Sequence, residues 1–436
     1  MSIHAAPINQ KNRILVLDSL RGIAILGILL MNIPSMAYSV IGHDPSIMNE
    51  FGTINYYIWY FVDWIADSTQ RALFSLLFGA GILLFLSGKE KNNYSVSPLD
   101  YFFRRQLWLI FFGLINIYIF LWRGDILFDY GCYGFIMLAF RLWEPKKLLW
   151  AAGICMVLML ARENRDLYLE KSVISKGEAI EQMDTTVTKL NPKQKAQLDA
   201  LLELRESSSK AAKVKRMERA NKIMTGSYGE IYEFRTNSYL DTIIHYTYFS
   251  IWEVLEFMFL GMAFFKMGIL AGEKSIKFYA IMALLGLGVG ALVSYWQFHP
   301  TIENGFNNYQ YLKNVDISFY EIGRVLRSLG VFGFLMFLYK LPWFDWFFKL
   351  MRPVGQMAFT NYLTQSIFAA IIFYGIGFGY FGKLPRYQVY SLVLAIWAIQ
   401  IIWSHIWLRY FQYGPFEWVW RQLTYWKRLP IVKKKE

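Results

Sequence analysis

Cysteine and histidine are scarce, with two and five among 436 residues. Cys132 and Cys155 both fall in apolar stretches, which excludes a disulfide framework and any zinc-type spacing, so no metal is expected. The most charged part of the chain, 163–240, has no glycine-rich phosphate loop and no His/Cys cluster. No A-x-A-like cleavage site follows the first apolar stretch, which is also too long for a signal-peptide core; it is expected to stay as a signal anchor. Acidic residues are outnumbered, 32 against 45 basic, for a net charge of +13. That excess invites a nucleic-acid partner, but the basic residues sit in short loops between apolar segments. Positive-inside bias accounts for them, and no nucleic acid is expected. What the chain has in quantity is apolar and aromatic residues, 56% and 19%, a composition foreign to soluble globular domains. Its mean hydropathy of +0.29 is held down by the one long charged segment.

The stretch Arg13 to Pro34, RILVLDSLRGIAILGILLMNIP, is long enough to cross a bilayer, which takes about 20 apolar residues. It carries Asp18, Arg21 and Asn32. At roughly 100° per residue, Arg21 lies about 60° from Asp18 and Asn32 about 40° from it, so all three share one face. Ionisable groups in a spanning helix are costly and look into protein or a wet cavity. Asp18 and Arg21 either form a buried i,i+3 pair that only positions the helix, or line a site. Asp18 and Asn32 are about 21 Å apart along the axis, which puts polar groups near both membrane surfaces.

Ten spanning helices are expected, near 16–38, 70–88, 104–122, 126–142, 147–162, 244–266, 277–298, 319–340, 355–378 and 388–409. The fold class is therefore all-α, a polytopic membrane helix bundle with an extracytoplasmic helical insertion. Residues 1–162 form an N-terminal membrane half, 163–241 the charged insertion, and 242–436 a C-terminal half with an interfacial helix and a basic tail. With the N-terminus inside, Lys89, Lys91, Arg104, Arg105, Arg141, Lys146 and Lys147 fall in cytoplasmic loops, whereas the outer loops hold few basic residues. Both termini are thus expected in the cytoplasm of a bacterial inner-membrane protein. Residues 163–240, with 14 Lys/Arg against 12 Asp/Glu, are expected to cross as a long loop does, regardless of charge.

Other embedded polar groups follow along the chain. Asp125 and Asp129 stand one turn apart at the expected outer start of helix four, where capping explains Asp125 as well as catalysis does. His245 precedes Glu253 and Glu256 on helix six. Helix eight opens SFYEIGRVLRS, in which Glu321 pairs naturally with Arg324; Arg327 then needs a partner that Glu253 or Glu256 would supply. Asn361 and Gln365 share a face of helix nine, where polar side chains commonly join helices. The end, GPFEWVWRQLTYWKRLPIVKKK, reads as an interfacial helix facing lipid, with Glu417 and Arg421 at i,i+4.

Six segments resemble the YeiB-like bacterial membrane proteins, a family filed as domain of unknown function 418. They are RILVLDSLRGIAILGILLMNI at 13–33, LFSLLFGAGILL at 73–84, RGDILFDYG at 123–131, TGSYGEIYEFR at 225–235, GQMAFTNYLTQS at 355–366 and SHIWLRYFQYGPFEWVWRQLTY at 404–425. The first helix is also similar to that of two groups of transmembrane acyltransferases, which acylate bacterial surface polysaccharides and lysosomal heparan glucosamine. Both take acyl-CoA from the cytoplasm and acylate a sugar across the membrane. In the polysaccharide group a functional histidine corresponds to Asn32, and this chain departs from it. In the lysosomal group an asparagine stands there and a catalytic histidine follows; here His43 follows at similar spacing, across a different sequence interrupted by Pro34.

The resemblance implies an acyltransferase with acyl-CoA, acetyl-CoA in its simplest form, as co-substrate and a glycan or lipid-linked acceptor. Asn32, His43, His245 and Asp125 are then the candidate catalytic residues. Asp18, Arg21, Glu253, Glu256, Arg324, Arg327, Asn361 and Gln365 are the candidate substrate-binding residues. A transporter or channel would use the same embedded charges for passage, although the two halves show no convincing inverted repeat. A non-catalytic envelope scaffold or sensor using the insertion is the third reading. Membrane lipid is a partner in every case, and the sequence sets no oligomeric state.

Overall fold

The computed structural model describes residues 14–90, 96–183, 190–237 and 239–433, with backbone alone for 40, 88–90 and 239–250. In chain order the helices are α1 (Leu15–Ala37), α2 (Ile54–Phe61), α3 (Thr69–Glu90), α4 (Pro98–Tyr118), α5 (Leu127–Leu138) and α6 (Pro145–Glu181). Then come α7 (Pro192–Ser208), α8 (Lys210–Met224), α9 (Tyr228–Thr236), α10 (Tyr239–Lys266), α11 (Ile276–Glu303) and α12 (Asn308–Asn314). The last are α13 (Tyr320–Tyr339), α14 (Asp345–Gln356), α15 (Ala358–Phe373), α16 (Arg386–Tyr410) and α17 (Pro415–Tyr425). Among the described residues the chain is all-α, its one strand-like contact being the isolated pair Phe411–Val432.

This is a membrane protein. Five stretches are long and apolar enough to cross a bilayer: Leu15–Ala37, Ile54–Ser87, Ile276–Glu303, Tyr320–Tyr339 and Arg386–Tyr410. Helices α4, α6 and α10, of 21, 37 and 28 residues, also have the length at 1.5 Å per residue, but carry charged groups. The outward faces of α11 and α16 show Leu284, Leu285, Leu292, Leu394 and Ile402 uncovered. Water would penalise such continuous apolar faces; hydrocarbon does not.

Helix α1 is the hub, packed on α3, α14, α15 and α16. Its crossing with α14 is a backbone-to-backbone contact. A Cβ on Gly355 would lie 1.7 Å from the Asp18 carbonyl oxygen, and one on Gly22 would lie 2.2 Å from that of Met351. Only glycine admits that approach. Helices α3 and α10 meet in the same way, Gly79 against Met258 and Gly261 against Leu76.

Three local expectations are revised. The helix read as ending near 162 continues without a break to Glu181, because nothing in RENRDLYLEK interrupts it once the apolar run stops. The ninth span, expected over 355–378, is the shorter α15, parted at Met357 from α14 before it. The connection after α4 folds back into the bundle, burying Leu121, Trp122 and Asp125, so Asp125 lies inside and not at an outer surface.

The insertion helices α7–α9 are tied to one end of the bundle, called here the distal end; α14 and α17 sit at the proximal end. Lys213 of α8 donates to Asp44 at 2.8 Å, Lys171 to Asp316 at 2.5 Å, and the Gly375 amide to the Met224 carbonyl at 2.9 Å. Arg235 of α9 donates to Tyr374 at 3.3 Å. The segment is thus a cover built from solvated helices.

Candidate functional site

Two cavities lie at opposite ends of α1. The proximal one, of about 250 Å³, is lined by Leu17, Asp18 and Arg21 of α1, by α3 from Phe74 to Phe85, and by Arg105, Tyr362, Trp420 and Arg421. The eleven helical steps from Phe74 to Phe85 along its wall span about 16 Å at the helical rise. Its walls are leucine and aromatic, while three guanidinium groups, Arg21, Arg105 and Arg421, stand in it. Arg21 donates to Asp18 at 3.2 Å, so the i,i+3 pair forms and still faces the cavity. Arg105 lies over the rings of Phe85 and Trp420, 4.8 and 4.7 Å from their centroids. Among the described residues it meets no carboxylate. Gly81 keeps the space open: a Cβ there would face the Arg21 guanidinium at 3.5 Å.

Arg421 reaches the cavity because α17 is pinned to α15. Glu417 accepts from the amides of Phe359 and Thr360 at 2.8 and 3.0 Å and from the Thr360 hydroxyl at 2.5 Å. One carboxylate so satisfies the free N–H groups at the start of α15.

The distal cavity, of about 420 Å³, takes Met31, Pro34 and Ser35 from α1. Around them stand His43, Asp63, Asp67, Gln297, Thr301, Tyr320, Arg327 and Tyr390, with Trp64 and Phe298 as apolar walls. Dense polar groups among aromatic faces suit a polyhydroxylated ligand. The Ser35 hydroxyl lies 3.1 Å from His43 Nε2. Burial and the positive charge of Arg386 drive His43 down to about 4, so it is a neutral imidazole at physiological pH. Arg386 is itself buried, donating to Glu50 at 2.9 Å. Burial pushes Glu50 up, against the pull of Arg386. Tyr320 donates to Asp67 at 2.7 Å.

Between the cavities, α3 presents Gln70 and Arg71. The Gln70 side chain packs against Gly27 of α1, and its Oε1 is buried without a hydrogen-bond partner among the described residues. Arg71 pairs with Glu253, and its carbonyl accepts from Tyr130, a wall of the proximal cavity.

Of the residues singled out in the sequence, Asp18 and Arg21 line the proximal cavity, and His43 and Arg327 line the distal one. Asn32 is half-buried beside the distal cavity but not in its wall. Asp125 accepts from Asn116 at 2.8 Å, from the Phe128 amide at 2.9 Å and from Tyr362 at 3.3 Å. It braces the roof of the proximal cavity through Tyr362. His245 lies outside the described side chains. Asn361 and Gln365 join helices: Gln365 donates to the Ile25 carbonyl at 3.1 Å and Asn361 to Ser404 at 3.2 Å. The membrane glutamates do not go to Arg327. Arg324 takes all three, with Glu321 at 2.5 Å, Glu253 at 3.3 Å and Glu256 at 3.5 Å, while Arg327 donates to the carbonyls of Trp64 and Gly323. Arg105 read only as a loop cation, and Ser35, Asp63, Asp67 and Gln70 had no site role in the sequence, because only the folded chain brings them to or between the cavities.

Residues 264–427 match the family model described as Protein of unknown function (DUF418). The chain is similar to the Bacillus subtilis (strain 168) protein "Uncharacterized protein YxaH", at 29% identity over 98% of each chain. It is similar also to "Uncharacterized protein YeiB" of Escherichia coli (strain K12), 28% identical over 97% of this chain and 99% of the relative. A third relative, "Uncharacterized 39.9 kDa protein in amylase 3'region" of Bacillus acidopullulyticus, is 27% identical over 99% of both. No solved structure matches.

Proposed function

We propose, from the match of residues 264–427 to the DUF418 family model and the full-length similarity to YxaH and YeiB, that the chain is a YeiB-like transmembrane acyltransferase. It moves an acyl group from acyl-CoA, held in the proximal cavity, to a hydroxyl of a glycan or lipid-linked acceptor held in the distal one. The observation that carries the reading is the unlike chemistry of two cavities strung along one helix. An apolar slot with Arg21, Arg105 and Arg421 suits a molecule with an apolar arm and several phosphates, since guanidinium groups bind phosphate in a bidentate fork. A polar chamber with a neutral histidine suits a hydroxyl that must lose its proton. Phe74, at the deep end of the slot, and Asp67, in the distal wall, are seven residues apart in the chain, on either side of the start of α3.

His43 accepts the acceptor proton in this scheme. Asn32 and the Gln70 amide are the neutral donors nearest the path for a developing oxyanion. The proximal end is cytoplasmic, where acyl-CoA is made, so both termini are cytoplasmic and α7–α9 cover the outer face of the bacterial inner membrane. Labelling of single cysteines placed near Lys210 and Lys91 from outside intact cells reads this orientation; reaction at Lys91 alone refutes it.

The turnover test is release of coenzyme A from acetyl-CoA by purified protein supplied with an envelope extract, followed by thiol titration. Release that depends on Arg105 and on His43 supports the reading. Absence of both binding and release removes it. Arg324 with its three glutamates favours the transport reading as the alternative, because embedded charges of this kind also serve ion or proton coupling.

A further inference from the structure

A serine inside a helix can turn its hydroxyl back to the carbonyl four residues earlier. Ser19 does so toward Leu15 at 3.2 Å, and Ser75 toward Arg71 at 2.9 Å. Ser35, in the last turn of α1, does not. Its one hydrogen bond among the described residues is with His43 Nε2 at 3.1 Å, and both side chains form part of the wall of the distal cavity. The histidine is neutral and held in place by the short helical turn Val40–His43, whose carbonyls at Gly42 and His43 accept from the buried Arg386. A hydroxyl in hydrogen-bond reach of an unprotonated imidazole, both open to one chamber, is the arrangement of an activated nucleophile and its base.

We propose that Ser35 is a covalent acyl relay. The inference rests on the acyltransferase reading and deepens it. In the first half, His43 takes the Ser35 proton and Oγ attacks the thioester carbonyl. The C–S bond breaks, and the leaving thiolate takes the proton from the imidazolium, giving acyl-Ser35 and coenzyme A. In the second half, His43 takes the proton of the acceptor hydroxyl, whose oxygen attacks the serine ester. The C–Oγ bond breaks, and Ser35 recovers its proton from His43. Atoms and charge balance, and the only co-reactants are the donor and the acceptor.

A relay of this kind leaves a signature that needs no acceptor. Labelled coenzyme A must exchange into acetyl-CoA, because the first half-reaction is reversible on the enzyme. The full-length protein in detergent is incubated with acetyl-CoA and labelled coenzyme A, and acetyl-CoA binding is measured in parallel. The expected result is exchange, with one acetyl group recovered on the peptide that contains Ser35. Ser35→Ala binds acetyl-CoA as the wild type does but loses the exchange by at least 100-fold, and Ser35→Cys retains an acyl group as a thioester cleaved by neutral hydroxylamine. Binding without exchange and without an acylated Ser35 overturns the relay and leaves direct transfer standing. Failure to bind acetyl-CoA at all removes the relay together with the acyltransferase reading.

Discussion

Arg324 and Arg327 stand one turn apart on α13, both buried, yet they should respond very differently to mutation. Arg324 lies within ion-pair distance of Glu321, Glu253 and Glu256 at once. Replacing it by leucine takes this cation from all three carboxylates; among the described residues Glu253 still pairs with Arg71. Breaking a buried pair by removing one partner costs about 3–5 kcal/mol, and here more than one pair is broken. Arg327→Leu removes two hydrogen bonds to carbonyls, from Trp64 and Gly323, each of the charged type worth about 1.5–3 kcal/mol at most. Absolute losses partly overlap, so the decisive quantity is coupling. A double-mutant cycle between Arg324→Leu and Glu321→Gln should return about 0.5–3 kcal/mol of interaction, whereas Arg327→Leu with Glu253→Gln should add within about 0.5 kcal/mol. Thermal unfolding of the detergent-solubilised protein, followed by tryptophan fluorescence, measures both cycles. Equal coupling of Arg327 to Glu253 would refute this assignment of partners.

Loss of Arg105 should weaken acetyl-CoA binding by about 10- to 150-fold, the value of one charge-assisted hydrogen bond, with little effect on unfolding temperature; a binding titration checks it. His43→Ala should lower turnover by about 10²–10⁴-fold while donor binding stays unchanged. Because His43 is driven from 6.5 down to about 4, it stays unprotonated across the whole range above that value. The acidic limb of the rate profile should therefore fall near pH 4 and not near 6.5. Gly355→Leu should abolish accumulation of folded protein, since its side chain would enter the Asp18 backbone; expression followed by size-exclusion chromatography reads it.

Much of this architecture is legible in the chain. The apolar run of α1 and its polar face follow from a 3.6-residue period, and Asp18 and Arg21 do pair and do face a cavity. Local pairs were readable because i,i+3 and i,i+4 neighbours are fixed by the helix itself, as with Glu321 and Arg324. Choices made across space were not. Nothing local tells that Glu253 and Glu256 meet Arg324 and leave Arg327 to carbonyls. Nothing local tells that Glu417 caps α15 from 57 residues away. Arg105 read as one more loop cation of the positive-inside set, and it becomes a cavity residue only because α3 and α17 bring the rings of Phe85 and Trp420 to its guanidinium. Asp125 read as a cap at the outer start of a helix, and it does accept from the Phe128 amide in the first turn of α5, though buried. It lies inside because Leu121 and Trp122 draw the connection down with them and Asn116 and Tyr362 satisfy the carboxylate there.

The most direct measurement is a structure of the protein with acetyl-CoA bound. The account predicts the phosphates among Arg21, Arg105 and Arg421, the arm running along α3 past Phe74 and Gln70, and the thioester in the distal cavity beside Ser35 and His43. Acetyl-CoA found elsewhere on the protein, or a proximal slot that holds only lipid at saturating acetyl-CoA, would contradict it.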